Sequence, residues 1–226
     1  MSSSWPQRTG GSFQRNKVSR QTKAEAAQLY MEGLSLSAIG RRFHVTKEAV
    51  RQWMMKFEGF FASRRRRLST VKRRPAILLD ETGIKWNGNT AYVSICLDLA
   101  RREVVSAKSY PAISIPSTID TVKQALKVCS RRRRPIFIVD HASWYRDAFE
   151  WLDLEWVALT NSVRNYIERW YRTFKDRTKR FYNNFGIRDG TRAIKRIERF
   201  THMFAYWYNH IRPHEHLHGR TPSSLS

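Results

Sequence analysis

Two short apolar runs that end abruptly in aspartate constrain this chain more than any other feature. One extends from Ile77 to Asp80 and the other from Phe137 to Asp140. Each run is short, unbroken and rich in branched side chains, which is typical of a strand buried on both faces of a sheet. Ligands of open α/β sheets bind at the carboxyl ends of the strands. If the two strands are neighbours, the two carboxylates therefore lie close together.

The patterns around these runs predict an α/β fold, with a mixed sheet and helices on its faces. Apolar runs and turn signals indicate strands at residues 76–79, 92–97, 103–110, 136–139 and 156–159. Helical spacing of apolar residues indicates helices at residues 117–129, 144–152, 163–179 and 191–208. The order of three strands, helix, strand, helix, strand and helix is typical of this fold class.

The first part of the chain has a different pattern, which predicts three short helices within residues 23–57. Gly33 is suited to end the first helix because glycine tolerates left-handed geometry. Ser35 and Thr46 are suited to cap the second and third helices. This spacing predicts a helix-turn-helix, with its second helix at about residues 37–43 and its recognition helix at about residues 47–56.

Three polar side chains of the predicted recognition helix point away from its apolar stripe. They are Lys47, Arg51 and Gln52. On this placement they could reach base edges in a major groove of DNA. A small three-helix bundle without DNA contacts is the alternative interpretation of the same pattern.

Charge and composition exclude several classes of protein. The 226 residues include 42 Lys and Arg against 19 Asp and Glu, a formal charge of +23. Such an excess points to an anionic partner, and we favour nucleic acid over a membrane surface because the basic residues are spread along the chain. No apolar run is long enough to span a bilayer, and two cysteines cannot form a disulfide scaffold. We therefore expect a cytoplasmic, nucleoid-associated protein.

The predicted pair of aspartates indicates a cation. Two close carboxylates repel each other unless a proton or a cation lies between them. Oxygen ligands without nearby Cys or His favour Mg²⁺ or Mn²⁺. A third acid is expected, and Glu168 lies on the predicted helix at residues 163–179 among basic neighbours. Glu168 could equally be a salt-bridged surface residue, and the rival third acids are Asp147, Glu150, Asp153 and Glu155.

Composition divides the chain into four segments. We expect a disordered basic arm at residues 1–22, a helix-turn-helix domain at residues 23–58, a basic linker at residues 59–74 and an α/β domain at residues 75–226. The linker is assigned because it contains two arginine-rich runs and precedes Pro75. Beside a DNA-binding domain, such a linker would follow phosphates.

Several motifs together resemble the DDE class of insertion-sequence transposases, which have a retroviral-integrase-like (ribonuclease H-like) catalytic core. Within that class the chain is most similar to the insertion-sequence-six family, over roughly residues 24–224. The motifs are residues 78–82, residues 138–140, residues 165–169 around Ile167 and Glu168, and a tail formed by residues 207–209, 212–214 and 219–222.

The resemblance implies that Asp80, Asp140 and Glu168 are the catalytic metal ligands and hold two Mg²⁺ or Mn²⁺ ions. The family usually has thirty-odd residues between the last two acids, whereas 27 residues lie between Asp140 and Glu168 here. Beside the metals, Arg164, Arg172 and Lys175 would hold DNA phosphates. No nucleotide cofactor is implied, and no Walker-type phosphate-binding motif occurs.

The resemblance also implies the activity, which is metal-dependent cleavage at the 3′ ends of an insertion sequence followed by strand transfer. The partners would be the terminal inverted repeats of the element and a target duplex. Because two ends must be joined together, a homo-oligomer on DNA is implied. Two alternatives remain from the residues alone: a non-catalytic helix-turn-helix regulator, such as a decayed transposase, and a structure-specific nuclease of the same fold.

Overall fold

The computed structural model describes residues 18–63, 68–159, 162–179 and 187–225. The expected basic arm therefore lies mostly outside the described residues. The described residues start with three helices, α1 (Arg20–Glu32), α2 (Leu36–Arg42) and α3 (Lys47–Ser63). Helix α1 starts inside the segment assigned to the arm because Ser19 caps it, accepting a hydrogen bond from the amide of Thr22 at 3.0 Å. None of the described helices has the length and apolar character needed to cross a bilayer.

The predicted caps of the helix-turn-helix are confirmed. The hydroxyl oxygen of Ser35 accepts from the amide of Ala38, and that of Thr46 accepts from the amide of Ala49, both at 3.1 Å. Gly33 ends α1 with φ at 116°. Helix α2 also approaches the turn closely at Gly40, where a Cβ atom would lie 2.7 Å from the carbonyl oxygen of Val45.

A five-stranded mixed sheet forms the centre of the remaining chain. Its strands are β1 (Ala76–Trp86), β2 (Asn89–Asp98), β3 (Glu103–Tyr110), β4 (Ile136–Val139) and β5 (Trp156–Ala158). The order across the sheet is β3-β2-β1-β4-β5. Strands β1, β2 and β3 form an antiparallel meander, whereas β4 is parallel to both β1 and β5. This is the ribonuclease H-like arrangement, so the predicted fold class is confirmed.

In the described residues, four helices cover the two faces of this sheet. They are α4 (Ile115–Leu126), α5 (Ser143–Leu152), α6 (Asn165–Thr178) and α7 (Gly190–His210). Alternate residues of β1 point into different cores, because successive side chains of a strand lie on opposite faces. Leu78 packs in a cluster with α6 and α7, whereas Ile77 and Leu79 pack in a cluster with α4 and α5.

The N-terminal helices share the first of these cores. Helix α3 packs along α7, where Glu58 pairs with Arg196 at 3.5 Å and the rings of Phe61 and Tyr206 lie 4.8 Å apart. The guanidinium of Arg177 on α6 donates to the carbonyl of Met31 at the end of α1, at 3.0 Å. The helix-turn-helix and the sheet domain therefore form one packed unit in the described residues.

The expectation of a free basic linker at residues 59–74 is wrong in its described parts. Residues 59–63 continue α3, because the apolar stripe of that helix extends to Phe60 and Phe61. Arg74 is buried rather than solvated, and its guanidinium forms ion pairs with Asp98 and Glu103. These two acids lie at the facing ends of β2 and β3, so Arg74 neutralises them and its role is structural. Residues 64–67 lie outside the described residues.

Candidate active site

Asp80 and Asp140 lie beside each other on neighbouring parallel strands. The parallel pairing between β1 and β4 ends at Leu78 and Ile138. Asp80 and Asp140 each lie two residues further along the chain. The sequence pattern predicted that the first strand ends at Asp80, and this prediction is wrong. Strand β1 continues to Trp86 because β2 pairs with it from Ile77 to Trp86. Asp140, by contrast, follows β4 directly.

One guanidinium joins the two carboxylates. The Nη2 atom of Arg164 lies 3.2 Å from Oδ1 of Asp80 and 3.8 Å from Oδ2 of Asp140. Arg164 is the last residue of a 3₁₀ turn (Ser162–Arg164) and the N-cap residue of α6. The predicted proximity of the two aspartates is therefore present, with a basic residue between them.

The two aspartates differ in their surroundings. Asp80 is almost buried, and this burial raises its pKa, while the charge of Arg164 acts in the opposite direction. The side chain of Asp140 is 34% exposed, and its Oδ1 accepts a hydrogen bond from the amide of Ala142 at 2.9 Å. That hydrogen bond fixes the turn that leads from β4 into α5.

Helix α6 is anchored to the strand that carries Asp80. The hydroxyl of Tyr171 donates to the backbone carbonyl of Asp80 and lies 3.3 Å from the carbonyl oxygen of Val93. Trp170 is buried and stacks on Phe174, with ring centroids 4.9 Å apart. Trp170 and Tyr171 are therefore core residues of the sheet domain.

Glu168 lies on α6, one turn after Arg164, and its side chain is exposed. Burial lowers the pKa of Arg164, but the charges of Asp80 and Asp140 raise it, and the charge of Glu168 adds a smaller contribution in the same direction. Within the described ranges, no three Asp, Glu, His or Cys side chains are gathered closely enough to hold a metal ion. The structure thus brings together Asp80, Asp140 and Arg164, with Glu168 at the margin of this group.

Sequence reasoning missed a second acid beside the first. Glu81 points to the opposite face of β1, where it accepts hydrogen bonds from the hydroxyl of Tyr145 and, at 3.2 Å, from the hydroxyl of Ser94. Burial raises the pKa of Glu81 to about 7. If the strand is taken to continue past Asp80, the alternation of its side chains indicates which face of the sheet Glu81 occupies. The partner of Glu81, Tyr145, lies 64 residues away, so no local pattern indicates this contact.

The aspartate pair fits a divalent cation. Its two carboxylates supply the oxygen ligands that Mg²⁺ and Mn²⁺ prefer. They are also close enough for the charge of Asp140 to contribute to the raised pKa of Asp80, which shows mutual repulsion across the site. A single guanidinium supplies only one positive charge for these two carboxylates.

The other basic residues expected near the site lie on the exposed part of α6. Arg172 and Lys175 are both exposed. Together with Glu168 they face solvent, opposite the buried stripe formed by Ile167, Trp170, Tyr171, Phe174 and Thr178. Their side chains are therefore available to a ligand that approaches α6 from outside.

The outer face of α3 is also exposed to solvent. Lys47 and Gln52 are exposed, whereas Val50 and Trp53 are buried behind them. Arg51 is half-exposed, and its Nε atom donates to Glu48 at 2.7 Å. The three side chains thus lie on the outer side of α3, where Arg51 is held by an acid of the same helix.

The order and directions of the strands define a ribonuclease H-like fold, which follows an N-terminal helix-turn-helix domain. The helix-turn-helix domain family matches residues 22–69. Uncharacterized protein MJ0017 of Methanocaldococcus jannaschii is 30% identical over 177 residues, which cover 76% of this chain and 79% of that protein. This chain belongs to the same family as MJ0017.

Two solved structures are also similar in part. The catalytic core domain of HTLV-2 integrase in complex with magnesium (trimeric form) aligns with 14% identity and a TM-score of 0.47, over 68% of this chain and 96% of that one. The Mos1 strand transfer complex aligns with 13% identity and a TM-score of 0.30, over 81% of this chain and 76% of that one.

Proposed function

We propose that this protein is a DNA transposase, which cuts the 3′ ends of an insertion sequence and transfers them to a target duplex. The observation that carries the proposal is the meeting of Asp80 and Asp140 on adjacent parallel strands, beside a helix that also bears Glu168. Such an arrangement serves phosphoryl transfer because acids on rigid elements hold a cation in fixed position.

In this proposal Asp80 and Asp140 hold Mg²⁺ or Mn²⁺, and Glu168 completes the ligand set from α6. The bound ions would stabilise the attacking and leaving oxygens of an in-line displacement at phosphorus. Tyr171 keeps α6 against β1, so that the acids of both elements stay in register. Glu168 must turn towards the aspartates, and its exposure leaves it free to do so.

The basic side chains of α6 would position the DNA. Arg172 and Lys175 are exposed on the face of α6 that also carries Glu168, so a strand lying along that face would place its phosphates beside the acids. Arg164 would also contact a phosphate once its guanidinium no longer contacts Asp80 and Asp140. The charge of +23 supports a polyanionic substrate over a small anion.

The helix-turn-helix would recognise the ends of the element. Lys47, Arg51 and Gln52 lie on the outer face of α3 and would enter a major groove. Because α3 packs on α7, recognition of an end would also fix the orientation of the duplex relative to the sheet domain. Terminal inverted repeats of an insertion-sequence-six-like element are the proposed ligand, and two protein copies would hold two ends.

The test is a joining assay with purified protein, Mg²⁺ and a linear duplex that carries the DNA flanking its own gene. We expect Asp80→Asn, Asp140→Asn and Glu168→Gln each to abolish joining and to leave DNA binding in place. Asp147→Asn is the matched control, because Asp147 is an exposed acid of α5 whose side chain pairs with Arg146. This control should join DNA like the wild type.

The same assay separates the alternative functions. A nuclease would cut the duplex without joining it. A non-catalytic regulator, which the exposed position of Glu168 would favour, would bind the duplex and leave it intact. Retained joining in Glu168→Gln would remove that residue from the site, and retained joining in Asp80→Asn would refute the proposal.

A further inference from the structure

Arg164 occupies the place between the aspartates in the protein without DNA. Its Nη2 atom contacts Asp80 and Asp140 at once, and its side chain is only 21% exposed. A single nitrogen thus bridges the two strands that carry the proposed cation ligands. This contact is partly withdrawn from water, so it is screened less than an ion pair on the open surface.

The position of this arginine on its helix is unfavourable by itself. Arg164 is the N-cap residue of α6, where the helix dipole places partial positive charge and where acids are preferred. Its side chain makes no capping hydrogen bond. The two aspartates, and not the helix, therefore account for the place of its guanidinium.

We infer that Arg164 is an internal counter-cation that keeps divalent metal out of the site until DNA arrives. The inference rests on the proposed function, since it takes Asp80 and Asp140 as cation ligands. Metal and guanidinium use the same carboxylate oxygens and repel each other, so they exclude each other from the pair. Metal binding in the absence of DNA must then displace Arg164.

A DNA phosphate supplies the alternative partner for Arg164. Guanidinium binds phosphate through two parallel hydrogen bonds, and the exposed cations at Arg172 and Lys175 would bring phosphates to the same helix. Once Arg164 turns to a phosphate, the aspartates are open to metal. By linkage, DNA should tighten metal binding, and metal should tighten DNA binding by the same factor.

The test measures the binding of Mn²⁺ alone by electron paramagnetic resonance, using the full chain without DNA. Arg164→Gln and Arg164→Met remove the charge, Arg164→Lys retains it, and Arg172→Gln removes a charge from the same helix without touching the aspartates. Thermal melting shows that each variant is folded. We expect the two neutral variants at Arg164 to bind Mn²⁺ about 5- to 150-fold more tightly than the wild type, the range of typical coupling between sites. Arg164→Lys and Arg172→Gln should bind like the wild type.

Two further measurements locate the effect. Asp80→Asn, added to Arg164→Gln, should remove the gained Mn²⁺ binding. A short duplex added to the wild type should tighten Mn²⁺ binding, whereas the same duplex should have little effect on Arg164→Gln.

The outcomes separate this inference from the proposed function. Equal or weaker Mn²⁺ binding in the neutral variants, with loss of wild-type binding in Asp80→Asn, would overturn the role of Arg164 and leave the metal site standing. Absence of any Mn²⁺ binding that depends on Asp80, with and without DNA, would overturn both.

Discussion

The burial of Glu58 between the helix-turn-helix and the sheet domain should make stability depend on pH. Glu58 on α3 is buried against Arg196 of α7, and its burial raises its pKa to about 7 from the ordinary 4.5. The charges of Arg196, Arg199 and Arg51 favour the ionised form, but they do not outweigh the loss of water. Folded Glu58 therefore keeps a proton at a pH where the unfolded chain has released it.

The magnitude follows from the pKa difference. Each tenfold change in proton affinity is worth about 1.36 kcal/mol, so the change from 4.5 to about 7 corresponds to about 3 kcal/mol. This contribution to the free energy of unfolding is fully present below pH 4.5 and is lost as the pH rises to about 7. Glu58→Gln cannot titrate, so its stability relative to the wild type should rise by about 3 kcal/mol over that interval.

Urea unfolding of both proteins at half-unit steps from pH 4.5 to pH 8 measures this difference. Other carboxyl groups titrate in both proteins and cancel in the comparison. Parallel stability curves of wild type and Glu58→Gln would refute the account of a desolvated acid at this interface.

Three other perturbations have definite expected results. Trp170→Ala should lower the free energy of unfolding by about 3 to 5 kcal/mol in urea titrations, because its ring is fully buried between α6 and α7; a loss below about 1 kcal/mol would contradict that packing. Gly40→Ala should destabilise the protein by about 1 to 3 kcal/mol through contact with the carbonyl of Val45, and unchanged thermal stability would contradict the close approach. Arg51→Ala should weaken binding to element ends by about 1 to 3 kcal/mol more than binding to random duplex, as measured by fluorescence anisotropy across a salt series; equal losses would show that it contacts phosphates alone.

The secondary structure could be predicted well because its signals are local. The limits of β3 and β4 agree with the predicted residues 103–110 and 136–139. Strand β1 is longer than predicted. Its second half contains polar residues such as Glu81 and Lys85, so no apolar run indicates this part of the strand in the sequence. These residues adopt strand conformation because they pair with β2.

Long-range charge pairing could not be predicted from the sequence. A run of basic residues before Pro75 indicates a solvated segment by composition, yet Arg74 is buried because two acids of the β2–β3 hairpin neutralise it. The ion pair of Glu58 depends in the same way on the packing of α3 against α7. Such partners are 24 to 138 residues apart, and no local pattern connects them.

The site was predictable as far as topology determines it. Apolar runs that end in Asp80 and Asp140 lie together because β1 and β4 are parallel neighbours. The bridging position of Arg164 depends on the direction of one side chain, and the exposed position of Glu168 depends on how α6 is rotated about its axis. Neither is encoded in residue spacing.

The most direct test of the central claim is a crystal structure of the protein with a DNA end and Mn²⁺, with anomalous scattering recorded at the manganese edge. The account predicts an anomalous peak between Asp80 and Asp140, with carboxylate oxygens at about 2.1 Å as small divalent cations require, and with Arg164 turned to a phosphate. DNA bound to α3 without any anomalous peak at the aspartates, with Arg164 still bridging them, would contradict it.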